Sequence, residues 1–183
     1  MYRDRSLIPS EAVRLAALGS LALEPKRYGD LAAEVRQFTA RVTGPSLDIV
    51  GPPIELLRVE GLIEAVEGEG VGEDAPLRVS TAGRTELARL MGAALRPPVN
   101  DLNKLVLTLK LRFLHLLEEE ERRMQAEAMV EMAEQELARL QDLERRRGRE
   151  RGMLPRWLEH EIGQAEARLA WFRALLAEIA VEA

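Results

Sequence analysis

With 183 residues, 46% of them hydrophobic and 31% charged, the chain is long enough for two folded units and suits amphipathic helices. Aromatics make up only 4% and cysteine is absent, which excludes disulfides, thiol nucleophiles and thiolate metal sites and leaves the cores to Leu, Ala, Val and Ile. The net charge of −5 hides no basic domain: residues 1–95 hold 11 Lys and Arg against 14 Asp and Glu (−3), and the remainder holds 15 against 17 (−2).

The N-terminus leads into a mixed helix rather than a long apolar run, and no apolar stretch reaches the roughly 18 residues that span a bilayer. A cytoplasmic protein without membrane contact is therefore expected. Pro9-Ser-Glu11 opens a first helix with Ser10 as the expected N-cap. Ala12, Leu15, Ala16, Leu18 and Leu21 follow at helical spacing until Pro25. A second helix, about Tyr28 to Thr39, carries Leu31, Ala32, Val35 and Phe38 on one face.

Thr43-Gly-Pro-Ser46 is a turn signal. Gly51-Pro52-Pro53 then interrupts the chain, so the next regular helix is expected to start near Pro52, where first-turn prolines are tolerated, and to stop at Gly61. Leu62 and Ile63 begin a strand, Glu64 to Pro76 form a glycine-rich hairpin, and Leu77 to Val79 return as a second strand. Ser80 then caps a helix expected to run to about Leu95. Helix, strand, glycine hairpin, strand, helix is the order of a winged helix-turn-helix.

Several features sit poorly with DNA. The segment from Ser46 to Glu60 has one arginine, Arg58, and three acids, so base readout would have to use Ser46 and apolar contacts to thymine methyls. The hairpin carries Glu64, Glu67, Glu69, Glu73 and Asp74 with no Lys or Arg from Val59 to Leu77, which reads as a solvated loop that misses the phosphates. Gly68-Glu-Gly-Val-Gly72 is too acidic, and lacks the following helix, for a phosphate-cradling loop.

These residues resemble the PadR family of bacterial transcriptional regulators over nearly the whole chain. The family's post-wing pattern matches Val79-Ser80-Thr81-Ala82-Gly83-Arg84, with Ser80 in place of threonine. Its recognition-helix end matches Ile54, Leu57 and Gly61-Leu62-Ile63, its opening matches Pro9-Ser-Glu11 and Leu18-Gly-Ser-Leu21, and its recognition-helix proline falls on Pro52. The chain departs from the pattern at Gly51, where the family has tyrosine, at Asp48, where it has glycine, and at Arg27-Tyr-Gly-Asp-Leu31, where it has His-Gly-Tyr-Glu-Leu. In the family that tyrosine often helps dock on the DNA backbone, and this chain has glycine in its place.

Arg96-Pro-Pro-Val-Asn100 reads as a linker, and Asn100 or Asp101 caps a long helix expected to reach about Arg147. Leu102, Leu105, Leu109, Phe113 and Leu116 form its apolar face, and Glu118 to Arg123 leave it exposed or bent. A last helix, about Pro155 to Val181, carries Leu158, Ile162, Ala165, Leu169, Phe172, Leu176 and Ile179 at steps of 4, 3, 4, 3, 4 and 3. That is a coiled-coil seam, and spacing alone allows either an intramolecular hairpin or a dimer. The resemblance, notably to the virulence-activator branch, implies a homodimer held by Leu158, Ile162, Leu169, Phe172, Leu176 and Ile179.

Little here points to catalysis. His160-Glu161-Ile-Gly-Gln164 puts glutamine where a zinc-binding HExxH needs its second histidine. Met124, Met129 and Met132 read as packing, Glu118 to Glu121 as a solvated face, and Arg145 to Arg151 as a charged turn capping a helix end. No nucleophile–base pair, dinucleotide fingerprint or P-loop is present, so neither an enzyme nor a cofactor is expected.

The expectation is thus a mainly α protein: residues 1–95 a winged helix-turn-helix, residues 96–183 a helical dimerisation domain. A homodimer would bind a palindromic operator in double-stranded DNA, more often as a repressor. Arg27, Tyr28, Arg36, Arg41, Ser46, Arg58 and Arg78 are its DNA-contact candidates. Trp157 and Trp171, fourteen residues apart on one side of the last helix, are candidates for a small-effector site, since the family often senses aromatic molecules near its dimer interface. The alternative is a winged helix that has lost DNA binding and serves as a protein-interaction module.

Overall fold

The computed structural model describes residues 6–44, 52–66, 75–146 and 152–181. They form two compact units, Met1–Leu116 and Leu117–Ala183.

The first unit is organised around α1 (Pro9–Leu23). Ala12, Val13, Leu15, Ala16, Ala17, Leu18, Gly19, Ser20 and Leu21 are all buried, so the helix is covered on almost every side. It packs against α2 (Tyr28–Thr43), α3 (Pro52–Val59), α4 (Thr81–Met91) and α5 (Asp101–Phe113). Small side chains make such crowding possible: a Cβ added at Gly19 would stand 2.4 Å from the Phe113 ring of α5. The helix starts two residues earlier than a Ser10 cap would place it. Pro9 takes the first helical position, and the backbone N–H of Ile8, not the Ser10 hydroxyl, makes the capping contact by donating to Glu11 Oε2 at 3.1 Å.

Between α3 and α4 runs an antiparallel hairpin, β1 (Ile63–Ala65) and β2 (Leu77–Val79), in the register Ile63↔Val79, Glu64↔Arg78 and Ala65↔Leu77. Lys26, just before α2, makes a single bridge to the other edge of β2 by exchanging two backbone hydrogen bonds with Leu77 (3.1 and 2.8 Å). Gly61 turns the chain from α3 into β1 at φ 70°, a left-handed conformation in which a side chain is disfavoured. Ser80 caps α4 as expected, accepting from the Gly83 N–H at 3.1 Å while its hydroxyl donates to Gly61 O at 2.6 Å. The helix ends at Met91 rather than near Leu95.

The helix expected from residue 100 to 147 is two helices. α5 is capped by the Asn100 side chain, which accepts from the Asn103 N–H at 2.8 Å, and a 3-10 turn, Leu114–Leu116, ends it. α6 (Glu119–Arg146) begins anew. The acidic run at Glu118–Glu121 cannot extend the face that Leu105, Val106, Leu109 and Phe113 bury, and so the chain breaks there. α5 packs on α1 and α2, which places it inside the first unit although it lies beyond residue 95.

The second unit is a helical hairpin of α6 and α7 (Leu154–Val181). Cross-helix ion pairs join Arg168 to Glu136 (2.5 Å) and Arg173 to Glu134 (2.7 Å), so residue numbers rise on one helix as they fall on the other, the mark of antiparallel packing. Ala126, Met129, Met132 and Ala133 of α6 and Leu158, Ala165, Leu169, Phe172 and Ile179 of α7 are buried in the hairpin. The seam on α7 is therefore covered by α6 of the same chain, with Ile162 and Leu176 half-buried at its margins. No helix among the described residues is long and apolar enough to cross a membrane.

Candidate nucleic-acid interface

α2, α3 and the hairpin carry six of the seven DNA-contact candidates; Ser46 lies outside the described residues, as do the acidic hairpin positions Glu67, Glu69, Glu73 and Asp74. Leu31, Val35, Thr39 and Thr43 turn one side of α2 into the core. At about 100° per residue, carried back to the N-cap Arg27, Arg27 and Arg41 fall within about 40° of each other to one side of that buried face, and both are exposed. Arg36 lies about half a turn away from Arg27, so it does not join them. Arg58 is exposed on the last turn of α3. Among the described residues Arg27, Arg36, Arg41 and Arg58 have no carboxylate partner, so their charge is available to a phosphate.

The remaining candidates are engaged. Arg78 Nε donates to Glu64 Oε1 at 2.9 Å, directly across the hairpin, which cancels the only base of the wing strands. The Tyr28 hydroxyl approaches Glu55 Oε1 at 3.4 Å, a long contact; partial burial first, then the Glu55 charge, pushes the phenol's pKa up. Arg14 donates to Glu60 Oε1 at 2.5 Å, a pair between α1 and the end of α3 that the sequence reading missed, the two residues being 46 positions apart. The acids of the α3 face are thus met by groups of the same unit.

Behind this face lies a second network that sequence reasoning missed. Glu34 on α2 accepts from Arg112 of α5 at 2.5 Å, from the Ser20 hydroxyl of α1 at 3.1 Å, and pairs with Lys26 at 3.2 Å. Burial opposes ionisation of Glu34, but the bonds from Arg112, Lys26 and Ser20 together outweigh it and hold the carboxyl below its ordinary range. Glu24 in turn, followed by Glu34, raises the pKa of Lys26. Arg112 also lies over the Phe38 ring at 4.5 Å. These ties join α2 to α1 and α5, so the helix bearing Arg27 and Arg41 is braced from within.

One buried cation completes the unit. Lys110 of α5 is fully buried and donates to the carbonyls of Met91 (2.6 Å) and Ala93 at the C-terminal end of α4. It satisfies carbonyls that the helix leaves open, and the negative end of the helix dipole favours its charge. Desolvation nonetheless lowers its pKa to about 8. The available signal was a lysine inside the apolar face Leu105, Val106, Leu109 and Phe113.

In the second unit Trp157 and Trp171 are half-exposed, and Trp171 meets the neighbouring Phe172 ring edge-on at 5.3 Å. Gln164 and His160 share a 2.6 Å hydrogen bond, and the described residues hold no group of three His, Asp or Glu placed for a metal ion.

The family model described as "Putative AphA-like transcriptional regulator" matches residues 2–176. The chain belongs to the AphA-like family. A transcriptional regulator, as the sequence implied, is thereby upheld, and the mainly α fold with one small β-hairpin is the one expected. This AphA-like chain is also similar to solved structures at low identity. Bacillus subtilis PadR is 17% identical, with 96% of this chain and 98% of that one covered at a TM-score of 0.39. The same protein in complex with operator DNA is 16% identical, with 91% and 97% covered at 0.37, and its complex with p-coumaric acid is 15% identical, with 92% and 99% covered at 0.37. No curated protein sequence matches the chain.

Proposed function

We infer that this AphA-like regulator acts by binding double-stranded DNA as a homodimer. The observation that carries the reading is the family match across residues 2–176, on a chain whose helices α1 to α3 are followed by a β-hairpin. α3 would enter the major groove of each half-site, and Arg27, Arg41 and Arg58, exposed and unpaired within the described residues, would contact phosphates. The charge balance of −5 calls for such symmetry: one subunit makes few contacts, and two add theirs on a palindrome. Repression by occupancy of the operator is the mode we favour, in the cytoplasm. Because α6 already covers the α7 seam, the seam residues support a dimer by building the hairpin whose outward faces pair. Trp157 and Trp171 on that hairpin are our candidates for a small-effector site.

The test is binding of the full chain to a fluorescent duplex from its own upstream region, titrated with salt and an unrelated competitor. Preference for its own duplex, with affinity falling steeply in salt, is the expected result. No binding at low salt by a protein that light scattering shows to be dimeric would overturn it. That outcome would favour the protein-interaction module, a reading that the wing strands support, since their single base, Arg78, is taken up by Glu64.

A further inference from the structure

α3 divides its side chains sharply between core and surface. Ile54 and Leu57 are buried to within 1% of their surface, while Leu56 and Val59 are 46% and 83% exposed. At about 100° per residue Leu56 and Val59 stand about 60° apart, on the side opposite Ile54 and Leu57. The folded unit makes little use of either where it stands. The acids next to them are occupied, Glu55 by the Tyr28 hydroxyl and Glu60 by Arg14, and Arg58 flanks them exposed. The face therefore has an apolar centre, a cation at its edge and two acids met from within the unit. Internal pairing of acids suits a surface that approaches a polyanion, where a bare carboxylate would be repelled.

In the major groove the apolar feature of a base edge is the C5 methyl of thymine; every other feature that distinguishes the pairs is a hydrogen-bond donor or acceptor. We propose that Leu56 and Val59 are specificity-determining residues of α3 that pack on thymine methyls in each half-site. The proposal rests on the DNA-binding reading above and adds to it the chemical feature that is read: methyl groups rather than guanine edges. Arg58, about 100° around the helix from Val59, then serves the phosphates and carries no base information.

Removing one methyl from each contacted thymine isolates this chemistry without touching the protein. The full chain would first enrich duplexes from a random-sequence pool. Its affinity for the best of them would then be compared with the same duplex carrying deoxyuridine at every thymine. Each absent methyl is expected to weaken binding about fourfold, from the hydrophobic contribution of one buried carbon, so two in each of two half-sites give more than about a hundredfold. In Leu56→Ala and Val59→Ala, with folding checked by the melting temperature, the ratio between the two duplexes is expected to fall towards one. Equal affinity of the unaltered protein for both duplexes would overturn the inference while leaving DNA binding intact. A ratio that persists in both variants would also overturn it. Failure to enrich any duplex at low salt would overturn this proposal and the DNA-binding reading together, leaving the exposed pair for a protein partner.

Discussion

Lys110 is the residue at which the physical chemistry is most exposed to measurement. Its pKa falls to about 8 in the folded chain against an ordinary 10.5, so between those values the folded state has released a proton that the unfolded state still holds. Stability from this group therefore rises as pH climbs from 8 to 10.5 and is absent below 8. The melting temperature of the native chain, taken relative to Lys110→Met, is expected to increase across that window; a flat difference would show that the ammonium is not desolvated. Gly83 makes a simpler prediction. A Cβ there would stand 2.0 Å from the backbone carbonyl oxygen of Leu62, which cannot swing aside as a side chain can. Gly83→Ala is expected to cost at least about 3 kcal/mol in denaturant unfolding, the upper end of ordinary overpacking. Both residues stood plainly in the sequence. Gly83 was legible as part of a motif, but its reason, contact with Leu62 just before β1, depends on a residue 21 positions away.

Among the elements, α1 and α5 show how close packing replaces polar ties. Gly19 lets the Phe113 ring reach the backbone of α1, and Gly19→Ala is expected to destabilise the first unit by about 1–3 kcal/mol, with Phe113→Leu in the same chain recovering part of the loss. Additive losses in that cycle would mean that the two sites do not touch. The hairpin of α6 and α7 has a different dependence. Glu136 is 6% exposed and paired with Arg168, so removing one partner strands a buried charge. Arg168→Met is expected to cost about 3 kcal/mol, whereas replacing both residues with apolar ones of similar size is expected to be close to neutral, as for other buried pairs. Helix propensity and heptad spacing made α7 legible to within a residue. The charged run from Glu118 to Arg123 signalled a bend, but not that the helix would stop at Leu114–Leu116, because how far its apolar face extends depends on α1 and α2.

For the molecule as a whole the question is how a chain of net charge −5 meets a polyanion. The described residues answer it by pairing: Glu60, Glu64 and Glu34 are held by Arg14, Arg78 and Arg112, while Arg27, Arg41 and Arg58 have no such partner. On our reading, Arg27→Ala or Arg41→Ala will weaken DNA binding for all sequences alike and lower the salt slope by about one for each phosphate no longer neutralised, whereas Arg36→Ala, on the other side of α2, will leave the slope unchanged. Fluorescence anisotropy at several salt concentrations checks this, and a loss of binding confined to one sequence would argue that these arginines read bases.

Local order was determined by sequence alone. Prolines at 9 and 52, glycines at 44 and 61, the caps Ser80 and Asn100, and the repeating apolar steps of α1, α2 and α7 each act within a few residues, through backbone freedom and hydrogen bonds to neighbouring amides. Tertiary structure decided which surfaces those elements spend on one another. An apolar seam attracts any apolar seam, so the spacing of Leu158 to Ile179 could not distinguish α6 from a second chain. An arginine in sequence does not disclose whether a glutamate 14 or 46 residues away will neutralise it. Those outcomes depend on distance in space and on desolvation, which only the packed chain defines.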